Sequence, residues 1–423
     1  MIESASGIHM TDSTGHRVID AWSGMVCVGL GYGRDDLIDV MTEQARRLSY
    51  AHSLYDTTHQ TAIDLCERLV DITPASLEHV FLSMSGSDAA DTLLKVIRYH
   101  NNVVGRPRKK HVIALDRAYH GASSVVAGLT HFPECNDHFD VPLPHQHHIP
   151  SPWHLGVNEG ASADEIIGKS VDALRTTVAD VGPDQVAAFV CEPVMITAGV
   201  IVPPLGWLGA MADTCTELGI FFMVDEVVTG FGRTGRMFAC EWDGVEPDMM
   251  FLAKGMTSGY IPQGAALFSH EIYCGMTEGV SPDTVFGHGF THTGHPTSCA
   301  VTSKCIDLYS ELVDDVARLG TRLLDRLTEL ADDDPWITHV RGRGLAAGID
   351  VVDGATGERI DPSLDAMVRI RREAHRRGLM TRMFDGDMFG FAPPLIITDD
   401  ELDEMIDIFG ASVTAVRNGT DRR

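Results

Sequence analysis

Long apolar runs are missing from this chain of 423 residues. None approaches the roughly 18 residues that a membrane-spanning helix needs. The first residues also lack a basic-then-apolar leader, so no export signal is expected. Cysteine is scarce and unpatterned: nine residues, an odd number, with no Cys-x-x-Cys pair. A disulfide framework is therefore excluded, and reduced thiols in the cytoplasm are expected. Basic residues are few. Lys and Arg number 33 against 60 Asp and Glu, for a formal net charge of −27. Such a surface repels nucleic acid and anionic lipid. It mainly serves solubility, because salt screens any long-range attraction of cations over about 8 Å. Internal repeats and low-complexity tracts are absent. There is no Gly-x-Ser-x-Gly elbow of a hydrolase. Gly168-Lys169-Ser170 ends like a phosphate loop, but Ala163 stands where the first glycine belongs.

What is present is an alternation. Strands are expected at 79–83, 111–115, 186–191, 220–224, 249–253 and 265–268. Helical spacing of apolar residues fills 35–48, 58–72, 87–101, 163–178 and 207–218. Alternating strands and helices predict a mostly parallel sheet covered on both faces. A hairpin is expected over 8–20, turning at Asp12-Ser13-Thr14-Gly15. The segment 132–160 reads as a long ordered loop. A long helix, with a break allowed, is expected over 297–330, followed by a smaller α+β part.

Two apolar strands end in a charge: Asp225 after the strand at 220–224, and Lys254 after the strand at 249–253. A charge at such a strand end is costly without a partner. In open α/β sheets, that end is also where ligands bind. A carboxylate and an amine therefore share one rim. This pair suits a pyridoxal-phosphate site, with Asp225 at the pyridine nitrogen and Lys254 as the Schiff-base lysine. The ordinary alternative is a turn aspartate and a solvated lysine.

Neighbouring residues add to the pair. Ser85-Gly86-Ser87-Asp88 follows a strand and opens a helix, where backbone N–H groups favour an anion. The plainer use of Ser85 is an N-cap. Tyr119, ahead of His120 and Gly121, offers a ring to stack on a flat cofactor. The plainer reading is a core tyrosine. Val227 offers a stiff opposite wall.

The chain resembles class III pyridoxal-phosphate aminotransferases, the omega-transaminase group within fold type I. The resemblance rests on Ser-Gly-Ser-Asp (85–88), Tyr-His-Gly (119–121), Glu-Pro-Val (192–194) and Asp-Glu-Val-Val-Thr-Gly-Phe-Gly-Arg-Thr-Gly (225–235). It extends through Ala-Lys-Gly-Met-Thr-Ser-Gly (253–259), His-Gly-Phe-Thr-His-Thr-Gly-His-Pro (288–296) and Ala-Pro-Pro-Leu-Ile (392–396). It implies an α/β fold with a mostly parallel seven-stranded sheet in a large domain, 45–305. Residues 1–44 and 306–423 would form the small α+β domain. It implies pyridoxal 5'-phosphate held by Ser85, Gly86, Ser87, Tyr119, His120, Glu192, Asp225, Val227 and Lys254. It further implies a homodimer with sites at the interface, in which Phe290 and Thr291 reach the neighbouring subunit's phosphate. Arg382 would clamp an acceptor carboxylate, and Val26 and Tyr55 would shape the substrate pocket.

The implied reaction moves an amino group from a primary amine or omega-amino acid to a 2-oxo acid, with pyruvate the expected acceptor. An aminomutase, or a silent relative that only binds the cofactor, are the alternatives. Departures from the family pattern are informative. Thr197 replaces a glutamate frequent in GABA- and ornithine-type relatives, Val26 a tryptophan, and Met84 an asparagine. The chain also starts close to the first hairpin, so a lid is expected to be missing or supplied otherwise. His145, His147, His148 and His154 lack metal-ligand spacing and read as polar loop residues, with no metal expected.

Overall fold

The computed structural model describes residues 1–54, 56–278, 280–281, 284–384 and 387–420. Its central sheet has seven strands: β1 (Leu77–Ser83), β2 (His111–Leu115), β3 (Gln146–Ile149), β4 (Val186–Cys191), β5 (Phe221–Asp225), β6 (Met249–Leu252) and β7 (Gly264–Ser269). Their spatial order is β1-β7-β6-β5-β4-β2-β3. Only β7 runs antiparallel to its neighbours; the remaining pairs are parallel. The mostly parallel sheet expected from the alternation is present.

The composition of the strands explains their burial. Every residue of β4 and β6 is buried, as strands covered on both faces must be. Successive side chains go to opposite faces. Phe189, Phe222, Val224, Met250 and Leu252 join one apolar cluster, together with Leu174 and Trp207. These two come from helices α2 (Ala163–Val181) and α3 (Trp207–Leu218). Ala188, Val190, Met223, Met249 and Phe251 join the opposite cluster with Leu93 and Ile97 of α1 (Gly86–Val103).

Two four-stranded sheets flank this layer. One holds Ile2–Ser6, His9–Asp12, Arg17–Asp20 and Leu379–Met380; the other holds Ile337–Gly342, Ala347–Val351, Arg382–Phe384 and Met388–Phe391. The expected hairpin is present. Asp12 turns it by accepting the Thr14 N–H at 2.8 Å.

One expectation needs correction. The segment 132–160 is not one loop. It contains a helical turn, Pro133–Asn136, and the edge strand β3. Gln-His-His-Ile has too few apolar residues to announce a strand, yet pairs in register with β2. His147 and His148 therefore lie on a strand. The long helix expected over 297–330 is present as α4 (Pro296–Asp333), which runs unbroken. Its Gly320 is a point of close approach, since a Cβ there would lie 2.5 Å from Gly344.

Candidate active site

The carboxyl ends of β2, β4, β5 and β6 lie side by side in the sheet. Tyr119 and His120 follow β2, Glu192 follows β4, Asp225 ends β5, and Lys254 comes two residues after β6. The turn Ser85-Gly86-Ser87 joins β1 to α1. Topology alone therefore assembles residues from five separate stretches of sequence.

They line one cavity of about 400 Å³. Asp225 is 4 % exposed and His120 3 %. His120 Nδ1 lies 2.8 Å from Asp225 Oδ2. With its hydrogen on Nδ1, His120 donates to this carboxylate. Asp225 Oδ1 accepts the Val227 N–H at 3.0 Å. Glu192 Oε1 accepts the Tyr119 N–H at 3.0 Å. Burial pushes the Glu192 carboxyl well above its ordinary value, and Asp225 pushes it further. Burial pulls the Lys254 amine down, against the pull of Asp225 and Glu192. The backbone of Lys254 sits at φ +45°. A bulky residue in that left-handed region costs of the order of 1–3 kcal/mol, and such strain clusters at functional sites.

Lys254 and Tyr119 also line a second cavity of about 370 Å³. Its wall includes Val26, Trp22, Thr197, Phe132, Arg117 and Arg382. The Arg382 guanidinium rests 5.5 Å from the centre of the Phe384 ring. Lys254 and Tyr119 are the residues common to both cavities.

A flat phosphorylated pyridine fits the first cavity on three observations. His120 Nε2 is buried with no hydrogen-bond partner among the described residues. A Cβ on Gly86 would lie 3.0 Å from Val227 Cγ2, so the α1 start and the Val227 wall stand in close contact. The donor set pairs backbone N–H groups at a helix start with a carboxylate across the cavity. The Ser85 side chain is engaged as an N-cap, accepting the Asp88 N–H at 3.2 Å. Its O–H remains able to donate to an anion. The Ser87 hydroxyl accepts the Ala122 N–H at 3.1 Å.

Ser85, Gly86, Ser87, Tyr119, His120, Glu192, Asp225, Val227 and Lys254 are thus brought together. Val26 and Arg382 line the adjoining cavity. Phe290 and Thr291 line neither; Thr291 is exposed, and its carbonyl accepts the Tyr50 hydroxyl at 2.8 Å. Tyr55 lies outside the described residues. His145, His147, His148 and His154 line neither cavity. His147 Nε2 instead contacts His111 Nδ1 at 2.7 Å. Sequence reasoning missed Arg117 and Trp22 as cavity residues. Arg117 stands only two residues before Tyr119, which is the signal that was available.

Comparison with known proteins agrees with this geometry. A family model for class III aminotransferases matches residues 1–413. A diaminobutyrate–2-oxoglutarate transaminase of Halomonas elongata is 35 % identical over 413 residues, covering 96 % of this chain and 88 % of that one. A putrescine–pyruvate aminotransferase of Pseudomonas aeruginosa is 35 % identical over 410 residues, with 96 % and 88 % covered. The omega transaminase from Pseudomonas jessenii, solved in complex with PMP, superposes with a TM-score of 0.94 at 32 % identity, covering 99 % and 93 %. The chain belongs to the class III aminotransferases. It is a pyridoxal-phosphate-dependent transaminase of fold type I. Among the described residues, no helix is long and apolar enough to cross a membrane.

Proposed function

We propose that the chain moves an amino group from a primary amine or omega-amino acid to a 2-oxo acid in two half-reactions, with Lys254 and Asp225 as catalytic residues. The observation that carries this reading is the position of Lys254 as the shared wall of two cavities, one ending in Asp225 and the other in Arg382. Bound pyridoxal phosphate supplies an electrophilic aldehyde and an electron-withdrawing ring.

This chain's own residues do the rest. Gly86 and Ser87 present backbone N–H groups to the phosphate, and Ser85 shapes that turn. Tyr119 and Val227 close on the two ring faces. Asp225 holds a proton at the ring nitrogen, since a close carboxylate raises such a pKa by roughly 1–3 units. His120 fixes the orientation of Asp225. Glu192, whose carboxyl burial pushes well above its ordinary value, would stand beside the cofactor's oxygen. Lys254 would hold the cofactor through its aldehyde. As a free amine, Lys254 Nζ would take a proton from the donor carbon and give it back on the cofactor side. The downward pull of burial on its pKa favours the neutral amine that this step requires.

Arg382 clamps the acceptor's carboxylate. A guanidinium suits this by offering two parallel N–H donors. Val26, in place of a larger residue, opens the donor side of the cavity, and Tyr55 is assigned there by resemblance. Two acceptors enter: pyruvate, expected from the sequence, and 2-oxoglutarate, named for the Halomonas relative. Arg382 serves either. Phe290 and Thr291 lie at neither cavity of their own chain, which supports their service to a second copy in a homodimer. Nine free cysteines support a cytoplasmic setting.

Adding an amine donor to the loaded enzyme should bleach the aldehyde absorbance, and a 2-oxo acid should restore it. A protein that stays yellow with every donor would reject the reading. An aminomutase would turn over without added 2-oxo acid.

A further inference from the structure

We propose that His288 is a positioning residue for the neighbouring subunit. It ties the loop bearing Phe290 and Thr291 to helix α1, and so sets where that loop meets the partner's cofactor phosphate. This deepens the homodimeric transaminase reading and rests on it.

His288 stands two positions before Phe290, and its imidazole touches α1 at two points. Lys95 Nζ lies 2.9 Å from Nδ1, and Thr92 Oγ1 lies 2.9 Å from Nε2. An ammonium has no lone pair to accept with, so Lys95 donates and Nδ1 accepts. The ring hydrogen then sits on Nε2 and goes to Thr92 Oγ1. Thr92 in turn donates to the Asp88 carbonyl at 2.7 Å. Asp88 is the residue whose N–H the Ser85 hydroxyl caps. The loop is thereby fastened to the first turns of α1, beside the turn that faces this subunit's own phosphate.

The faces of the imidazole are also held. Phe81 of β1 stacks on it with ring centres 5.0 Å apart, and Phe290 meets it edge-on at 5.2 Å. Burial lowers the pKa of His288, and Lys95 lowers it further, against Asp88. Both favour the neutral ring that can accept from Lys95.

Reach then limits the loop. Two residues of chain span at most about 7 Å, so a pinned His288 confines Phe290. On the far side, the Phe290 N–H donates to Thr293 Oγ1 at 3.0 Å, and Tyr50 holds the Thr291 carbonyl. Phe290 and Thr291 are therefore braced from both sides, yet they line neither cavity of their own chain. Around them, Val285 is 79 % exposed and Leu54, beside Gly289, 36 %. A braced loop with open apolar neighbours suits presentation to a second copy.

Hybrid dimers of differently tagged chains test this. In the first, one chain carries His288→Leu and keeps Lys254, while its partner carries Lys254→Ala. The one complete site then receives its loop from a chain that has His288. In the second, one chain is wild type and its partner carries Lys254→Ala with His288→Leu, so the complete site receives the altered loop. Each hybrid is stripped of cofactor and titrated with pyridoxal phosphate, following the absorbance of cofactor linked to Lys254. The first should match a control hybrid of wild type with Lys254→Ala. The second should bind about tenfold more weakly, the scale of one lost charge-assisted hydrogen bond. The reverse pattern would confine the effect of His288 to its own chain, and two matched curves would give it no role; either overturns the proposal. Should His288→Leu not fold, Thr92→Val cuts the link from the helix side and should reproduce the pattern. Matched curves there contradict the proposal equally. A chain that sediments as a monomer overturns the homodimer reading, and this inference with it.

Discussion

His120 Nδ1 and Asp225 Oδ2 lie 2.8 Å apart, and both side chains are sealed from solvent. The contact turns Asp225 into a fixed acceptor. His120→Asn should lower kcat by roughly tenfold to a hundredfold, because a misaimed carboxylate weakens the electron sink. A role limited to packing would leave the pH dependence of the cofactor absorbance unmoved. The expectation is a shift of that profile toward lower pH, as the ring nitrogen loses its proton more readily. Asp225→Ala should cost more still, and wild-type turnover in it would remove Asp225 from the mechanism.

Arg382 rests on Phe384 at the cavity wall. Arg382→Ala should raise KM for the 2-oxo acid well above its effect on a simple amine donor. Steady-state kinetics with both substrates varied distinguishes the cases. Equal effects on both would take Arg382 out of the carboxylate site.

Gly86 opens α1 against Val227. Gly86→Ala places a methyl group 3.0 Å from Val227 Cγ2, tight enough to push the wall or the helix start outward. Cofactor affinity should fall by about tenfold, with a smaller change in the thermal stability of the cofactor-free chain. Titration of the cofactor into both proteins by fluorescence measures this. Matched affinities would show that the turn does not hold the phosphate.

His148 predicts a pH effect on stability. Burial holds its pKa down at about 4, with His131 adding to the lowering; the two rings stack 4.2 Å apart. The unfolded chain takes up this proton near pH 6.5, and the folded chain only near 4. Stability is therefore lost as pH falls through that window, by at most about 3 kcal/mol. His148→Phe keeps a ring in place without the titration, so its Tm should decline less between pH 6.5 and 4. Parallel Tm curves for variant and wild type would contradict this.

The cofactor half of the site was legible because charge breaks an apolar strand audibly. Asp225 ends a run of buried residues, and Lys254 ends another. Parallel topology then had to bring those ends to one rim. The substrate half was much less legible. Arg117 and Trp22 sit on connections with no periodicity, and only the fold gathers them at the cavity. Strand β3 was hidden because an edge strand tolerates polar side chains. The helix α4 showed its length but not its continuity. Gly320 looks like a weak point until the backbone packed against it is seen. The His120–Asp225 contact joins residues 105 positions apart, and no local pattern announces it.

The claim on which the account turns is that the Nζ of Lys254 is the tether. Borohydride reduction of the cofactor-loaded enzyme, followed by peptide mass mapping, tests it directly. The account predicts a stable phosphopyridoxyl mass on Lys254 and its loss in Lys254→Ala. A mass on any other lysine, or an undiminished label in Lys254→Ala, would contradict it.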